Sequence, residues 1–331
     1  MRICVTGGTG FLGRHVVERL KRNHELVVLA RRPKPVEGVS VAKGDVTDRG
    51  TLPAAMDGCE ALIHLAGFVS QHPDDAERLY DVHVRGTENA LEEARRAGIK
   101  RVVYLSTSGT VAVSKEDELI SNESSETPKE IIYRWPYYRS KLIGEESALA
   151  KSDAGFGVIS LNPSLLLGPG DTDGESTRSI RMFLDGQLPV APPGGLSFVD
   201  ARDVAAAVET ALWRGRPGSR YLLGAVNMTF MAYYERLARL TTLKPPAMRA
   251  PPMMRTALDW LPNWGKNGFG FGFTVDRVSM EQACHTWYLD DTRARAELGW
   301  SPRDPMETLR DTLADMLDRS KGYNAASNLR G

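Results

Sequence analysis

Only three cysteines occur in 331 residues, Cys4, Cys59 and Cys284, and their scattered spacing excludes a disulfide framework or a cysteine-rich metal site. A reducing compartment follows. An excess of one charge is missing as well: 42 basic residues balance 42 acidic ones, which disfavours nucleic-acid binding through a broad basic field. No apolar run approaches the roughly 20 residues needed to span a bilayer. Met1 leads almost directly into ICVTGGTGFLG, without the basic head, apolar stretch and cleavage signal of a secretory peptide. The expectation is therefore a cytoplasmic protein with neither membrane nor nucleic acid as a partner. The six histidines are dispersed and include no His-Glu-x-x-His pair, so no metal site is expected, and no Gly-x-Ser-x-Gly elbow marks a nucleophilic serine. What remains is an ordinary globular composition, 42% hydrophobic and 25% charged, long enough for one large domain or two lobes.

The chain alternates between two periodicities. RICVT at 2–6 reads as a short strand, and GGTGFLGRHVVERLKRN turns helical, with Leu12, Val16, Val17 and Leu20 on one side. ELVVLA (25–30), VSVAKGD (39–45), ALIHLA (61–66), KRVVYLS (100–106) and GFGVISLNP (155–163) read as further strands, with helical stretches around 77–97 and 137–151. Short crossovers of this kind imply an α/β fold: a Rossmann-type doubly wound parallel sheet with helices on both faces. Beyond Pro163 the texture becomes rich in Gly and Pro, yet a helical pattern returns at 201–213 and the strand pattern SRYLLG follows it. Residues 1–170 are expected to form mainly the nucleotide-binding core. Residues 171–331 are expected to form mainly a smaller, interleaved carboxy-terminal substrate lobe, with about 197–225 returning to the core.

TGGTGFLG lies directly between the first strand and the first helix. Gly7, Gly10 and Gly13 provide a tight turn, close approach of backbone to a diphosphate and close helix packing, while Phe11 and Leu12 open a helix whose first amides are unpaired. The loop lacks the Gly-Lys-Ser/Thr ending of a triphosphate site, which favours a dinucleotide over the alternative of a purely structural turn. At the end of the second strand, LARRP sets Arg31 and Arg32 where an acid would often bind a ribose hydroxyl; their charge suits the extra phosphate of NADP. NADP(H) is accordingly the preferred cofactor and NAD(H) the alternative. Asp45 can accept from the adenine amino group while Val46 covers a ring face; the competing reading is a GDVTD turn in which Asp45 or Asp48 satisfies backbone amides.

YYRSK at 137–141 heads a helical pattern, so Tyr137 and Lys141, four residues apart, share a helix face. A neighbouring ammonium stabilises phenolate and moves a tyrosine toward a useful acid/base range. In reduction Tyr137 would give its proton to a carbonyl oxygen; an ordinary surface helix is the bland alternative. STSGTV at 106–111 follows a probable strand end, where binding crevices form. Ser108 is preferred as hydrogen-bond donor to the reacting oxygen, with Thr107 as the local alternative.

Taken together, TGGTGFLG, GDV, HLAG, RGTENALEEA, STSGTV, YYRSK and SLNPSLLLGPG resemble, in their order, an extended short-chain dehydrogenase/reductase of the NAD-dependent epimerase/dehydratase superfamily. SFVDARDVAAA and ARAELGWSP extend the resemblance almost to the carboxyl terminus, and LARRP, STSGTV and SLNPSLLLGP are most similar to its dihydroflavonol-reductase-like branch. The resemblance implies that Ser108, Tyr137 and Lys141 are the catalytic residues, that Leu65, Ala66 and Gly67 line the dinucleotide, and that Asn162 and Pro163 begin a segment approaching nicotinamide and substrate. It also implies a homodimer, built on the helices at 77–97 and 137–151. One departure stands out: His83 precedes VRGT where this family often has Asn, and it either takes over a buried hydrogen bond or fills the core.

The expected activity is an NADP(H)-dependent oxidoreductase that interconverts a carbonyl and a secondary alcohol on an apolar or aromatic small molecule. Phe68, Val69, Met182, Phe183, Leu184, Trp264, Phe269, Phe271 and Phe273 are the apolar residues that would favour such a substrate if they converge. Two alternatives stand beside it. One is a nucleotide-sugar epimerase/dehydratase with tightly bound NAD(P), for which Arg178, Arg181 and Arg202 would supply diphosphate donors; the other is a non-catalytic NADP-binding sensor.

Overall fold

The computed structural model describes residues 1–251 and 277–328. The chain runs through β1 (Arg2–Thr6), α1 (Phe11–Leu20), β2 (Glu25–Ala30), β3 (Ser40–Lys43), α2 (Pro53–Met56), β4 (Ala61–His64), α3 (Ala76–Tyr80), α4 (Gly86–Arg96) and β5 (Arg101–Leu105). It continues with α5 (Lys129–Ile132), α6 (Pro136–Ala150), β6 (Gly157–Pro163), β7 (Leu165–Leu167), α7 (Arg178–Leu184), β8 (Val190–Ala191), β9 (Gly195–Asp200) and α8 (Ala201–Ala211). Then come β10 (Arg220–Leu223), β11 (Val226–Thr229), α9 (Phe230–Leu240) and β12 (Met248–Arg249), followed by helices Arg277–Ala283, Thr292–Leu298 and Pro305–Asn328.

Seven strands form one parallel sheet in the order β10-β6-β5-β4-β1-β2-β3. A parallel sheet is buried on both faces, which is why its strands read as nearly continuous apolar runs; all seven residues of β6 are buried. One face packs on α1 and α8 through Val16, Val17 and Leu20 meeting Val204, Ala205 and Val208. The other is covered by α2 and α4 through Met56, Ala90, Leu91 and Ala94. Chain order reverses between β1 and β4, and ligands bind beside such a reversal, at the carboxyl ends of the strands.

The smaller lobe is threaded through this core. β7 follows β6 directly but joins a second sheet, β11-β9-β7, whose core includes Phe198, Tyr233, Leu237, Leu309 and Leu313. From β9 the chain returns through α8 and β10 to the main sheet. The turn between lobes is fixed by Asp200, which is fully buried, accepts from the Arg202 amide at 2.8 Å and holds the Arg202 guanidinium at 2.9 and 2.7 Å. Arg303, which precedes the helix Pro305–Asn328, reaches back to Asp203 of α8 at 2.9 Å.

The periodicity around 77–97 predicts one helix; the structure inserts a π-helical segment, Asp81–Arg85, between α3 and α4. Under it lies His64, fully buried at the end of β4. The Thr87 hydroxyl donates to the His83 carbonyl at 2.7 Å, so Thr87 Oγ1 receives the His64 Nε2 proton at 3.2 Å. His64 Nδ1 is then the acceptor for Thr6 Oγ1 at 2.8 Å.

Burial pulls the His64 imidazole down to about 3, and the nearby Lys141 charge acts in the same direction. A histidine free in the unfolded chain titrates near 6.5. Between these values only the unfolded state binds the proton, so stability is fully present above about 6.5 and drains as pH falls toward 3. In denaturant titrations from pH 6 to pH 4, His64→Gln is expected to flatten the loss by about 1.4 kcal/mol per pH unit relative to wild type. Equal slopes in the two proteins would contradict this account.

Candidate active site

The glycine loop has the shape a diphosphate requires. Gly7 adopts φ +70°, and a Cβ there would sit 2.6 Å from the Leu65 carbonyl; a Cβ on Gly13 would sit 2.1 Å from the Gly7 oxygen. Backbone is thus pressed against backbone where α1 begins. Gly10 is the N-cap and offers no side chain to the first-turn amides, which include those of Phe11 and Leu12. These open donors and the helix dipole fit the pyrophosphate of a dinucleotide. The backbone of Leu65 walls the loop, with Ala66 half-buried and Gly67 exposed beyond it.

At the end of β2, Arg31 and Arg32 are both exposed, and neither has an ion pair among the described residues. Asp45 carries the turn reading: its Oδ1 accepts from the Thr47 amide at 3.0 Å and the Thr47 hydroxyl at 2.9 Å. Val46 is buried, and its carbonyl accepts from Asn89 of α4 at 3.0 Å, a support that sequence reading did not single out.

The Ser108–Thr110 turn that follows β5 separates the two candidate hydroxyls. Thr107 is spent on structure, its Oγ1 accepting from the Gly109 amide at 3.3 Å as the cap of that turn. Ser108 is buried, and its hydroxyl makes no hydrogen bond among the described residues. The turn packs on the first turn of α6: a Cβ on Gly109 would lie 2.2 Å from the Tyr138 ring. Tyr137 stands beside it, 5.0 Å from Tyr138 and 5.7 Å from His83, ring centroid to ring centroid.

The electrostatics differ from the sequence expectation. Lys141 is buried, donates to the Leu105 carbonyl at 2.6 Å and lies 5.0 Å from the Tyr104 ring centre. Burial lowers its pKa to about 8 against an opposing pull from Glu145, so it stays largely charged at neutral pH. Tyr137 is not lowered by that charge. Burial pushes its phenol up to about 12, because the ammonium is turned toward Leu105 while the phenolate would lose its hydration.

Glu145, one turn beyond Lys141, is the residue that the motif reading missed. It is fully buried; its Oε2 accepts from Ser106, from Thr110 at 2.9 Å and from Asn162 at 2.8 Å, while Oε1 faces Arg220 Nε at 2.9 Å. The available signal was its helical spacing from Tyr137 and Lys141. Asn162 belongs to this cluster and also donates to the Thr107 carbonyl at 3.1 Å, so its side chain points into the protein.

Of the apolar residues expected to meet substrate, Phe183 is corrected: it is buried in the small-lobe core, stacked on Tyr234 at 5.8 Å. Leu184 packs on the same core. Phe68 lies under the Arg78 guanidinium at 4.4 Å, Val69 is exposed and Met182 is half-buried. Trp264, Phe269, Phe271 and Phe273 lie outside the described residues. Arg202 is committed to Asp200 and to Asp311 at 2.7 Å, which removes it as a diphosphate donor. Unforeseen aromatic surface comes instead from Trp287, 5.0 Å from Tyr138 and stacked on Trp135 at 5.6 Å.

Removing one partner of a buried ion pair leaves the other charge stranded, at a cost of about 3–5 kcal/mol. Glu145→Ala should lower the urea unfolding free energy by about that amount. An unchanged midpoint would show that the cluster does not hold the site.

The model of the family described as NAD dependent epimerase/dehydratase matches residues 3–224. A Synechocystis sp. protein provisionally named dihydroflavonol 4-reductase is 33% identical over 96% of this chain and 95% of its own. Sterol demethylase protein B of Methylococcus capsulatus is 32% identical, covering 96% of this chain and 99% of that protein. The crystal structure of gox2253 matches with a TM-score of 0.82 at 27% identity, over 96% of this chain and 98% of that one.

Proposed function

The chain belongs to the NAD-dependent epimerase/dehydratase family of NAD(P)-dependent enzymes, and we propose that it is an NADP(H)-dependent reductase/dehydrogenase acting on an apolar or aromatic carbonyl or secondary alcohol. The observation that carries this reading is Ser108, buried with its hydroxyl uncommitted, on a turn that packs against the first turn of α6, the helix that carries Tyr137 and Lys141. The names of the relatives, a flavonol-type reductase and a sterol-processing protein, favour the same substrate class, as does the aromatic surface of Tyr138 and Trp287.

In this reading the amides around Gly7, Gly10, Phe11, Leu12 and Gly13 hold the diphosphate and Arg31 and Arg32 take the ribose phosphate. Asp45 and Val46 border adenine; Leu65, Ala66 and Gly67, with the backbone at Asn162 and Pro163, border nicotinamide. The cofactor, when bound, supplies a hydride. Ser108 donates a hydrogen bond to the substrate oxygen, Tyr137 delivers the proton that oxygen takes up, and Lys141 holds the ribose. A cytoplasmic homodimer built on the helices at 77–97 and 137–151 completes the reading, and sedimentation at micromolar concentration tests it. Among the described residues no helix is long and apolar enough to cross a membrane.

Tyr137→Phe keeps the ring and deletes the proton, so kcat should fall by about 10²–10⁴-fold while NADPH affinity holds. Full turnover in that variant would end the assignment. Replacing Arg31 and Arg32 by Ala should erase the preference for NADPH over NADH in fluorescence titrations. With a panel of aromatic carbonyls, product must form at the expense of NADPH, mole for mole. Product without net NADPH loss would point to an epimerase instead.

A further inference from the structure

His83 is buried, with 1% exposure, inside the π segment Asp81–Arg85, and takes no part in the chemistry above. Its hydrogen bonds have one direction. The Phe68 amide can only donate, so His83 Nε2 accepts at 3.3 Å and carries no proton. Nδ1 then holds the ring proton and gives it to Ser140 Oγ at 2.8 Å. The Ser140 hydroxyl passes its own proton to the Tyr137 carbonyl at 2.8 Å.

A second chain of donors ends on the same residue. The Ala66 amide donates to Thr6 Oγ1 at 3.3 Å, Thr6 to His64, His64 to Thr87, and Thr87 to the His83 carbonyl. Two amides of the loop after β4, those of Ala66 and Phe68, are therefore linked through His83 to the first turn of α6. The contact is close as well: a Cβ on Gly144 would lie 2.2 Å from the His83 oxygen, so the α6 backbone rests on the π segment. Burial and the charge of Lys141 both oppose an imidazolium there, in keeping with a neutral ring. A cationic ring would have a proton on Nε2 and would expel the Phe68 amide.

We propose that His83 is a positioning residue: as the neutral Nδ1–H tautomer it sets the Tyr137 end of α6 at a fixed distance from the Ala66–Phe68 loop that borders the cofactor cleft. Its rigid ring presents an acceptor at Nε2 and a donor at Nδ1. The proposal rests on the reading of Tyr137 as proton donor. It adds that one side chain ties the first turn of the donor's helix to that loop.

Three variants and one spectrum test this. His83→Leu removes both ring bonds, His83→Gln retains an acceptor and a donor without a titrating group, and Ser140→Ala cuts only the arm to Tyr137. Since misplacement of a reacting group by about 1 Å can cost on the order of 100-fold, His83→Leu should lower kcat by about 10- to 100-fold and also weaken NADPH binding in fluorescence titration. His83→Gln should restore both to near wild type. Ser140→Ala should lower kcat while leaving KM and NADPH affinity almost unchanged. In the wild-type protein with NADPH, long-range ¹H–¹⁵N correlation should show His83 neutral and protonated on Nδ1 at neutral pH. An Nε2–H tautomer or an imidazolium overturns the proposal, as does folded His83→Leu protein with wild-type kcat and NADPH affinity. If His83→Leu does not fold, the tautomer and the kcat-against-KM split of Ser140→Ala decide. Retained turnover in Tyr137→Phe would defeat the catalytic reading alone, because the tautomer and the NADPH titrations judge His83 separately.

Discussion

A carboxyl group shut away from water needs hydrogen-bond and charge partners for its oxygens, and Glu145 is surrounded by them from four directions. Ser106 comes from the end of β5, Thr110 from the turn after it, Asn162 from β6 and Arg220 from β10. Each of these groups faces inward onto the carboxylate, which joins three strand ends and a turn to α6. The turn that presents Ser108 is held from behind through Thr107 and Thr110; the helix that presents Tyr137 and Lys141 contributes the carboxylate itself. A polar network of this kind is stable only when complete, so the strand ends are fixed together or not at all.

This arrangement explains why the hydroxyl next to Ser108 cannot replace it. Thr107 is drawn into the cap of its own turn, and its carbonyl is taken by the Thr110 amide and by Asn162. Polar side chains that look equivalent along the chain divide into those that build the frame and one, that of Ser108, which makes no hydrogen bond among the described residues. Asn162 falls with the first group, its side chain committed inward to Glu145 and the Thr107 carbonyl.

Much of this was legible in order. Buried parallel strands leave continuous apolar runs, and α1 buries Leu12, Val16, Val17 and Leu20, the stripe its spacing predicts. The glycine loop was legible because its glycines are demanded by contacts within ten residues or with the adjacent strand end. The π segment was not: a shift of one hydrogen-bond register leaves apolar spacing nearly intact. The orientation of Lys141 and the partners of Glu145 also escaped, since they depend on side chains up to 75 positions away. Phe183 shows the converse error: an aromatic ring near a presumed pocket satisfied the core of its own lobe first. At Asp45 the structure shows the turn reading, its carboxylate accepting from the Thr47 amide and hydroxyl.

β10 pairs with β6 although the whole of β7, β8, β9 and α8 lies between them in the chain. During synthesis, then, β6 emerges with all its residues destined for burial and one edge unsatisfied until Leu223 has left the ribosome. An open apolar strand edge invites pairing with any other chain that offers one. A shortened chain ending near residue 170 would keep every glycine of the nucleotide loop and still lack the strand that closes its sheet, together with the arginine that neutralises Glu145. The first 170 residues are thus not a unit of folding by themselves, and a nascent chain stalled before β10 leaves the edge of β6 open to pairing.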